Sequence, residues 1–558
     1  MNIDLTPRPA GAHYAEPARP ALVHGSWRGV GRRIAAAGTT AVMVGSLLAP
    51  NVALAAEWVE VGGTQYTQTE YSTGASGEGW SWDGADDMSL TGYNGGAITA
   101  AGTLNITYSG TNTVNGAATV ASSEGNDYTG SIAVVDGEKE DASLTIQNSE
   151  SDPSASLSVN PKEDSSAIRS QGDVTLAGSG TISVDGSCGV YADGEFNITS
   201  SGETTLGSES SLVGIVGSGV SISGTGTTNV AGRGAGIFSE GNIDIDGATV
   251  NAKASSLTET LVDGYTYGIY ANGGNVTIQN GANVTASATN AKEDVSLAAG
   301  IAANGTSGVG GNIIIKDSTV KATATDTGSE LHDAVGILAQ GDKVDSTITI
   351  ENSKVTAEAS VSAEKEPSLA YGIFSTAYDA NASISIGGST VSAKGEDAGL
   401  LAYSYVSSAD TTAAGSIAIK NANIVTPTGG LVRDIYNAYD EEHEFGLFGQ
   451  IVSTSSDGEA LKNAASEVLI EAEKKEDVTP EPTPTPTPTP DDKKSSDTTP
   501  SDTTPASSDE AEAKKASATT GTLTQTGDDS AVAVVATAIA GAAAISAGAA
   551  AARRRRAE

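Results

Sequence analysis

The chain has one cysteine, three methionines and five phenylalanines in 558 residues, and aromatics make up only 4%. A single cysteine, Cys188, excludes an intrachain disulfide, so stability has to come from a packed core. Its side chain reads either as a reactive thiol or as a small buried strand residue; burial is the expectation, since free cysteine buries readily. Basic residues are scarce: 30 Lys and Arg stand against 69 Asp and Glu, a formal net charge of −39. That balance excludes a nucleic-acid partner, because phosphate binding needs Lys and Arg. It suits a soluble, self-repelling surface protein. Histidine is nearly missing, and after residue 55 only His332 and His443 remain. Neither has a metal-ligand partner at helical or turn spacing, so no metal and no cofactor is expected. No nucleophile motif stands out among the many Ser and Thr.

What is abundant is a repeated phrase. "GIYANGGNVTIQNGANVTA" at 268–286 has three apolar beats separated by Gly and Asn. The first beat returns as Val190, Ile215, Ile237, Ile269, Ile301, Ile337, Ile373 and the Gly399 pair, with weaker versions at Ile98, Ile132 and Ile168. That makes eleven beats, 22 to 36 residues apart. The shortest interval is about one turn of a three-faced parallel β-helix, and longer ones imply loops inserted at corners. The second beat alternates apolar and polar residues, the period of a strand with one buried face. It places Val174, Val220, Ile243, Val276, Ile313, Ile348 and Ile384 in one ladder. The third beat places Val230, Val250, Val284, Val320, Val355 and Val391 in another. Gly, Asn and Asp between beats supply the positive φ of tight turns.

The expected fold is all-β: a parallel β-helix of about eleven coils over 96–427, about 50 Å long at about 4.8 Å per coil. Its ends are unpaired edges that need covering. Residues 56–95, with Trp58, Trp80 and Trp82, are the expected N-terminal cap. Residues 428–478, with Phe445, Leu447, Phe448 and an expected helical tail, are the C-terminal cap.

The two ends read as addresses. Arg28, Arg32 and Arg33 precede the apolar run Ile34 to Leu48, and Ala53-Leu54-Ala55 follows. This is the pattern of a secretory signal peptide over 1–55. Its removal leaves 25 basic and 67 acidic residues. Residues 479–522 are rich in Pro, Thr and Ser and read as an extended, disordered stalk, able to reach on the order of 130 Å. Then Leu523-Thr524-Gln525-Thr526-Gly527 is followed by an uncharged span, Ala531 to Ala552, and by Arg553 to Arg556. The span is long enough to cross a bilayer, with the arginines left in the cytoplasm.

Pentapeptide, span and basic tail resemble the cell-wall sorting signal of sortase-anchored Gram-positive surface proteins. The resemblance implies cleavage between Thr526 and Gly527 and covalent attachment of Thr526 to peptidoglycan. Thr524 departs from the Pro usual in the family. The phrase "GWSWDGADDMSLTGYNGGAI" resembles the lead-in strand of Gly-rich surface modules of such bacteria. β-Helices of this coil length in known families are right-handed and fall into polysaccharide lyases or hydrolases and passive adhesins. The resemblance implies a monomer at the cell wall whose membrane contact is only the C-terminal span of its precursor.

An enzyme on this fold needs clustered carboxylates. Asp244 and Asp246 are the best pair, but neighbouring coils offer Ser221 and Thr277 there, so no catalytic residue is expected. The Asp193-Gly194 and Asp246-Gly247 pairs read as turns. If Ile269 points inward, Gly268 and Tyr270 point outward. The matching outward row is Tyr191, Val216, Phe238, Tyr270, Ala302, Leu338, Phe374 and Leu401. Such a row beside a flat glycine track is a candidate surface for glycan or host ligands, with Tyr191, Phe238, Tyr270 and Phe374 as its aromatic contacts. Corner loops or a cap folded over it are the plainer reading. The expected function is adhesin-like binding or display, and the alternative is surface polysaccharide lyase or hydrolase activity.

Overall fold

The computed structural model describes residues 56–137, 142–161, 165–256, 265–291, 296–306, 308–309, 311–328, 332–362, 368–407, 412–440 and 445–473. The segments expected to be a signal peptide and a stalk, the motif Leu523 to Gly527, the apolar span and His443 lie outside the described residues. Among the described residues no helix is long and apolar enough to cross a membrane.

The described chain is all-β. Its strands form three sheets of 16, 14 and 13 strands. The chain visits the first, second and third sheets in turn and then returns to the first, so each strand pairs in parallel with the one three or so elements on. This order is compatible with a β-helical solenoid.

Eleven first-sheet strands, from Ile98–Ala101 to Ala398–Val406, pair in parallel. Their register lines up Ile98, Ile132, Ile168, Val190, Ile215, Ile237, Ile269, Ile301, Ile337, Ile373 and Leu400. Every one of these side chains is buried in the main core. The second-sheet ladder also forms as its alternation predicts, from Leu104 through Leu144 and Val174 to Ile417, with Phe196 filling a place between Val174 and Val220. Branched aliphatics suit both ladders because their stiff side chains pack on a pleated surface.

The third ladder differs at one place. Val250, Val284, Val320, Val355 and Val391 align, but Val230 sits two residues further along and faces Ala252. The residue opposite Val250 is Thr228, also buried. A shift of two keeps the same face inward, so the core tolerates it.

Side chains close the corners. Asn242 Oδ1 accepts the Asn275 N–H at 2.9 Å, and Asn275 Oδ1 accepts the Asn312 N–H at 3.1 Å. At another corner, Ser353 Oγ accepts the Ser318 N–H at 3.1 Å and Ser389 Oγ accepts the Ser353 N–H at 3.0 Å. Asn280, Asp317 and Asn352 adopt positive φ there, at 59°, 49° and 49°, as tight turns require.

Antiparallel strands lie at the ends of the sheets. Trp58–Val61 pairs antiparallel with Ile98–Ala101 and with Thr64–Thr67. Trp80–Trp82 pairs antiparallel with Asp87–Thr91, and Trp80 and Trp82 are buried in the main core. At the other end, Phe445–Ser453 runs antiparallel to Ala398–Val406. Among the described residues, which end at Glu473, the expected helical tail does not form. A single 3₁₀ turn, Leu461–Asn463, is followed by the strand Glu467–Ala472, which inserts antiparallel between Thr390–Lys394 and Ala422–Thr426. Val468 and Ile470 are two apart and both buried, so the strand period overrides the helix-forming Ala, Glu and Leu around them.

Candidate binding surface on the first sheet

The ladder residue of each first-sheet strand faces the core, so the next residue faces the other way. Tyr191, Val216, Phe238, Tyr270, Ala302, Leu338, Phe374 and Leu401 fall in one register, on the outer side. From Phe238 to Leu401 they belong to an apolar cluster separate from the main core, which Tyr191 and Val216 do not join. Tyr191, Phe238 and Tyr270 are half-buried, whereas Phe374 is only 5% exposed.

The flat glycine track expected beside this row is not a surface. Gly268 is buried, and a Cβ there would meet the Gly300 carbonyl oxygen at 2.5 Å and the Ser287 nitrogen at 2.8 Å. Gly236, Gly300 and Gly336 meet the next coil in the same way. These glycines let the first-sheet backbone touch the third sheet, where no side chain fits.

The same contact hides other aromatics from a simple alternation reading. Tyr267 pairs with Ala299 and Ile269 with Ile301, so the register steps over Gly268 and Gly300. The strand phase flips at that step, as in a bulge. Tyr267 therefore joins the outer cluster although it lies two residues from the inward Ile269. Tyr265, Tyr371, Tyr403 and Tyr405 also join it, and none was picked out by the repeat. Strands longer than the motif, such as Tyr265–Asn272 and Leu369–Tyr378, carry most of them.

The rings touch in sequence. Tyr267 stacks on Tyr270 at 4.1 Å, and Phe238 lies 5.7 Å from Tyr270. Phe374 lies 4.8 Å from Tyr371 and 5.1 Å from Tyr403. The Tyr403 hydroxyl donates to the Tyr405 oxygen at 3.2 Å. Burial pushes the Tyr270 phenol up to about 12. It does the same to Tyr191, against the opposing charge of Arg169. Both phenols therefore stay neutral at any physiological pH.

Arg169 continues the row, paired in register with Tyr191. Its guanidinium lies 3.7 Å from the Tyr191 ring centre and 4.6 Å from that of Tyr128. Asp193 closes the cluster, 2.8 Å from Arg169 and accepting the Tyr128 hydroxyl at 2.7 Å. Cation–π contact and ion pair together fix the Tyr191 ring. The sequence offered only the turn reading of Asp193, because its partners come from two earlier coils.

The other weighed residues fall elsewhere. Asp244 lies on the outer face of the second sheet between Ser221 and Thr277, as alternation predicts. Although open to solvent on one side, it is crowded by flanking strands; that desolvation and, less, Asp246 raise its pKa, while a Thr277 hydrogen bond opposes. Asp246 accepts a hydrogen bond from Asn280 at 2.7 Å, a turn contact. His332 opens a first-sheet strand opposite Ser296. Cys188 is buried, and desolvation pushes its thiol up to about 12. Asp83, Asp86 and Asp87 converge, but Asp83 accepts the Ala85 and Asp87 N–H groups and Asn105 donates to the other two, which gives the cluster a folding role. The chain matches no protein-family model, no curated protein and no solved structure, so the functional reading rests on residues and geometry.

Proposed function

We propose that this is a cell-wall-anchored surface protein whose ectodomain binds or displays, in the manner of an adhesin. In this reading residues 96–427 are a closed, right-handed parallel β-helix of eleven coils. The antiparallel strands at the two ends are its caps, within 56–95 and 428–478. Residues 479–522 hold it away from the wall as a stalk. Sortase recognises Leu523, Thr524, Gln525, Thr526 and Gly527 and joins Thr526 to peptidoglycan. The ectodomain acts as a monomer and needs no cofactor.

The observation that carries the binding reading is the half-exposed part of the outer row, Tyr191, Phe238 and Tyr270, held in one register with Arg169, whereas Val216 and the row from Ala302 to Leu401 are buried. Aromatic edges fixed on a rigid sheet stack on sugar rings or peptide side chains without losing entropy. The test replaces Tyr191, Phe238 and Tyr270 together with serine. Attachment to glycan or matrix-protein arrays should be lost while the circular dichroism of the sheets persists. Full attachment by the triple variant would sink the reading.

The enzymatic alternative has one observation in its favour, the raised pKa of Asp244 beside Asp246. A reducing-sugar or unsaturated-product assay on plant and mucin glycans separates the two. Turnover that vanishes in Asp244→Asn would establish the enzyme instead.

A further inference from the structure

We infer that the outer face of the third sheet, from Thr249–Ser256 to Thr390–Lys394, is a second binding surface, and that its ligand is a linear, hydroxyl-rich anionic polymer of sugar or polyol units carrying carboxylate or phosphate groups. The inference rests on the ectodomain being a binding module, but it uses none of the aromatic row.

Charge is sorted by face. On the five third-sheet strands the outward positions hold Lys253, Lys321, Lys354 and Lys394 against one acid, Glu358. The remaining outward positions are Thr, Ser and Asn. The second-sheet strands of the same coils, from Ile243–Asp246 to Ala382–Gly387, turn Asp244, Asp246 and Glu351 outward with one lysine, Lys316. That lysine is taken up by Glu351 at 3.1 Å. In a chain of net charge −39, an outward face with four lysines and one acid is the place an anion can approach.

One of the four lysines is held in an ion pair and a second faces an acid across the strands. Lys253 pairs with Glu209, and Lys394 lies opposite Glu358 in register. Lys321 lies between Thr285 and Thr356, and Lys354 between Thr319 and Thr390. Among the described residues no ion pair involves either one. They sit on adjacent strands, two residues out of step, which places their backbones about 8 Å apart. One polymer chain can meet both with successive charged units.

Lys354 also borders a groove of about 380 Å³ at the corner with the second sheet, beside Thr319, Thr390 and Asn352. Asp317 lines it too, so neutral sugar hydroxyls belong in the groove and the anionic groups over Lys321 and Lys354. Hydroxyl and amide side chains both donate and accept, which matches sugar hydroxyls. The face offers no aromatic side chain for base stacking, which argues against single-stranded nucleic acid.

The test uses the whole secreted chain with polygalacturonate, poly(glycerol phosphate), neutral dextran and single-stranded DNA, at about 50 and about 200 mM salt. Binding to one of the two anionic polymers is expected, weaker at the higher salt, with no binding to dextran or DNA. Which polymer binds separates carboxylate from phosphate recognition. Lys321→Glu with Lys354→Glu should weaken binding about tenfold or more, and the paired Lys→Arg changes should preserve it. The serine triple variant of the aromatic row should bind the polymer as the unmodified chain does, which keeps this test apart from that of cell attachment. Absence of binding to both polymers at low salt, equal binding to DNA, or undiminished binding by the double Glu variant would overturn the inference.

Discussion

Gly268 and Cys188 show how little of this chain's residue usage is spare. The glycine stands where two backbones meet, with a carbonyl oxygen 2.5 Å from where its Cβ would be. Gly268→Ala should cost about 1–3 kcal/mol through overpacking, read as a lower urea midpoint with an unchanged slope. Cys188 is buried with its thiol pushed up to about 12, so it should resist iodoacetamide at about pH 8 until the chain is unfolded. Fast labelling of the native protein would contradict that burial. Glu240 gives a pH dependence: although its side chain reaches solvent, desolvation by the surrounding strands, then Asp193, raise its pKa. An acid with a higher pKa when folded holds more protons in that state, so its contribution to stability falls as pH rises through the folded value. Glu240→Gln should therefore raise the urea midpoint near pH 7 and change little near pH 3, below the ordinary glutamate range. The burial of Cys188 was readable from its residue type. The reason for Gly268 was not, because alternation says which way a residue points and nothing about what stands there.

At the scale of the strand, periodicity carried most of the fold. Every residue assigned to the first and second ladders is found in it, since a period of two with one buried face forbids a one-residue slip. The exceptions have local causes. Val230 slipped by two because its own coil offers Thr228 for the position opposite Val250. Tyr267 falls outside the alternation because the phase flips at Gly268. The tail at 458–476 reads as a helix because its composition suits one, while its buried pair, Val468 and Ile470, is spaced as a strand. That strand bonds to two neighbours, so Val468→Asp should detach it and cause a loss of several kcal/mol, seen as early protease cleavage near the C-terminal end. The antiparallel strands before Ile98 make a parallel prediction. A chain lacking residues 57–95 loses the partners of Ile98–Ala101 and Thr103–Ser109. It should associate through those open edges, visible by light scattering, while the longer chain stays monomeric.

In the function proposed for the whole molecule, the two ends have the role of addresses and the middle that of presentation. Three ladders in register give a scaffold whose outer faces differ in chemistry: aromatic on the first sheet, acidic on the second, lysine-bearing on the third. The outer aromatic row was legible in part, as the residue after each ladder position. Its clamp, Arg169 with Tyr128 and Asp193, was not, because it joins residues from three separate coils. A scaffold of this kind works only where it is held. The most direct measurement is therefore the release of the protein from intact cells. Muramidase should free it with a peptidoglycan fragment on Thr526, and hot detergent should leave it in place. Release by detergent alone, with residues 527–558 still attached, would contradict the account.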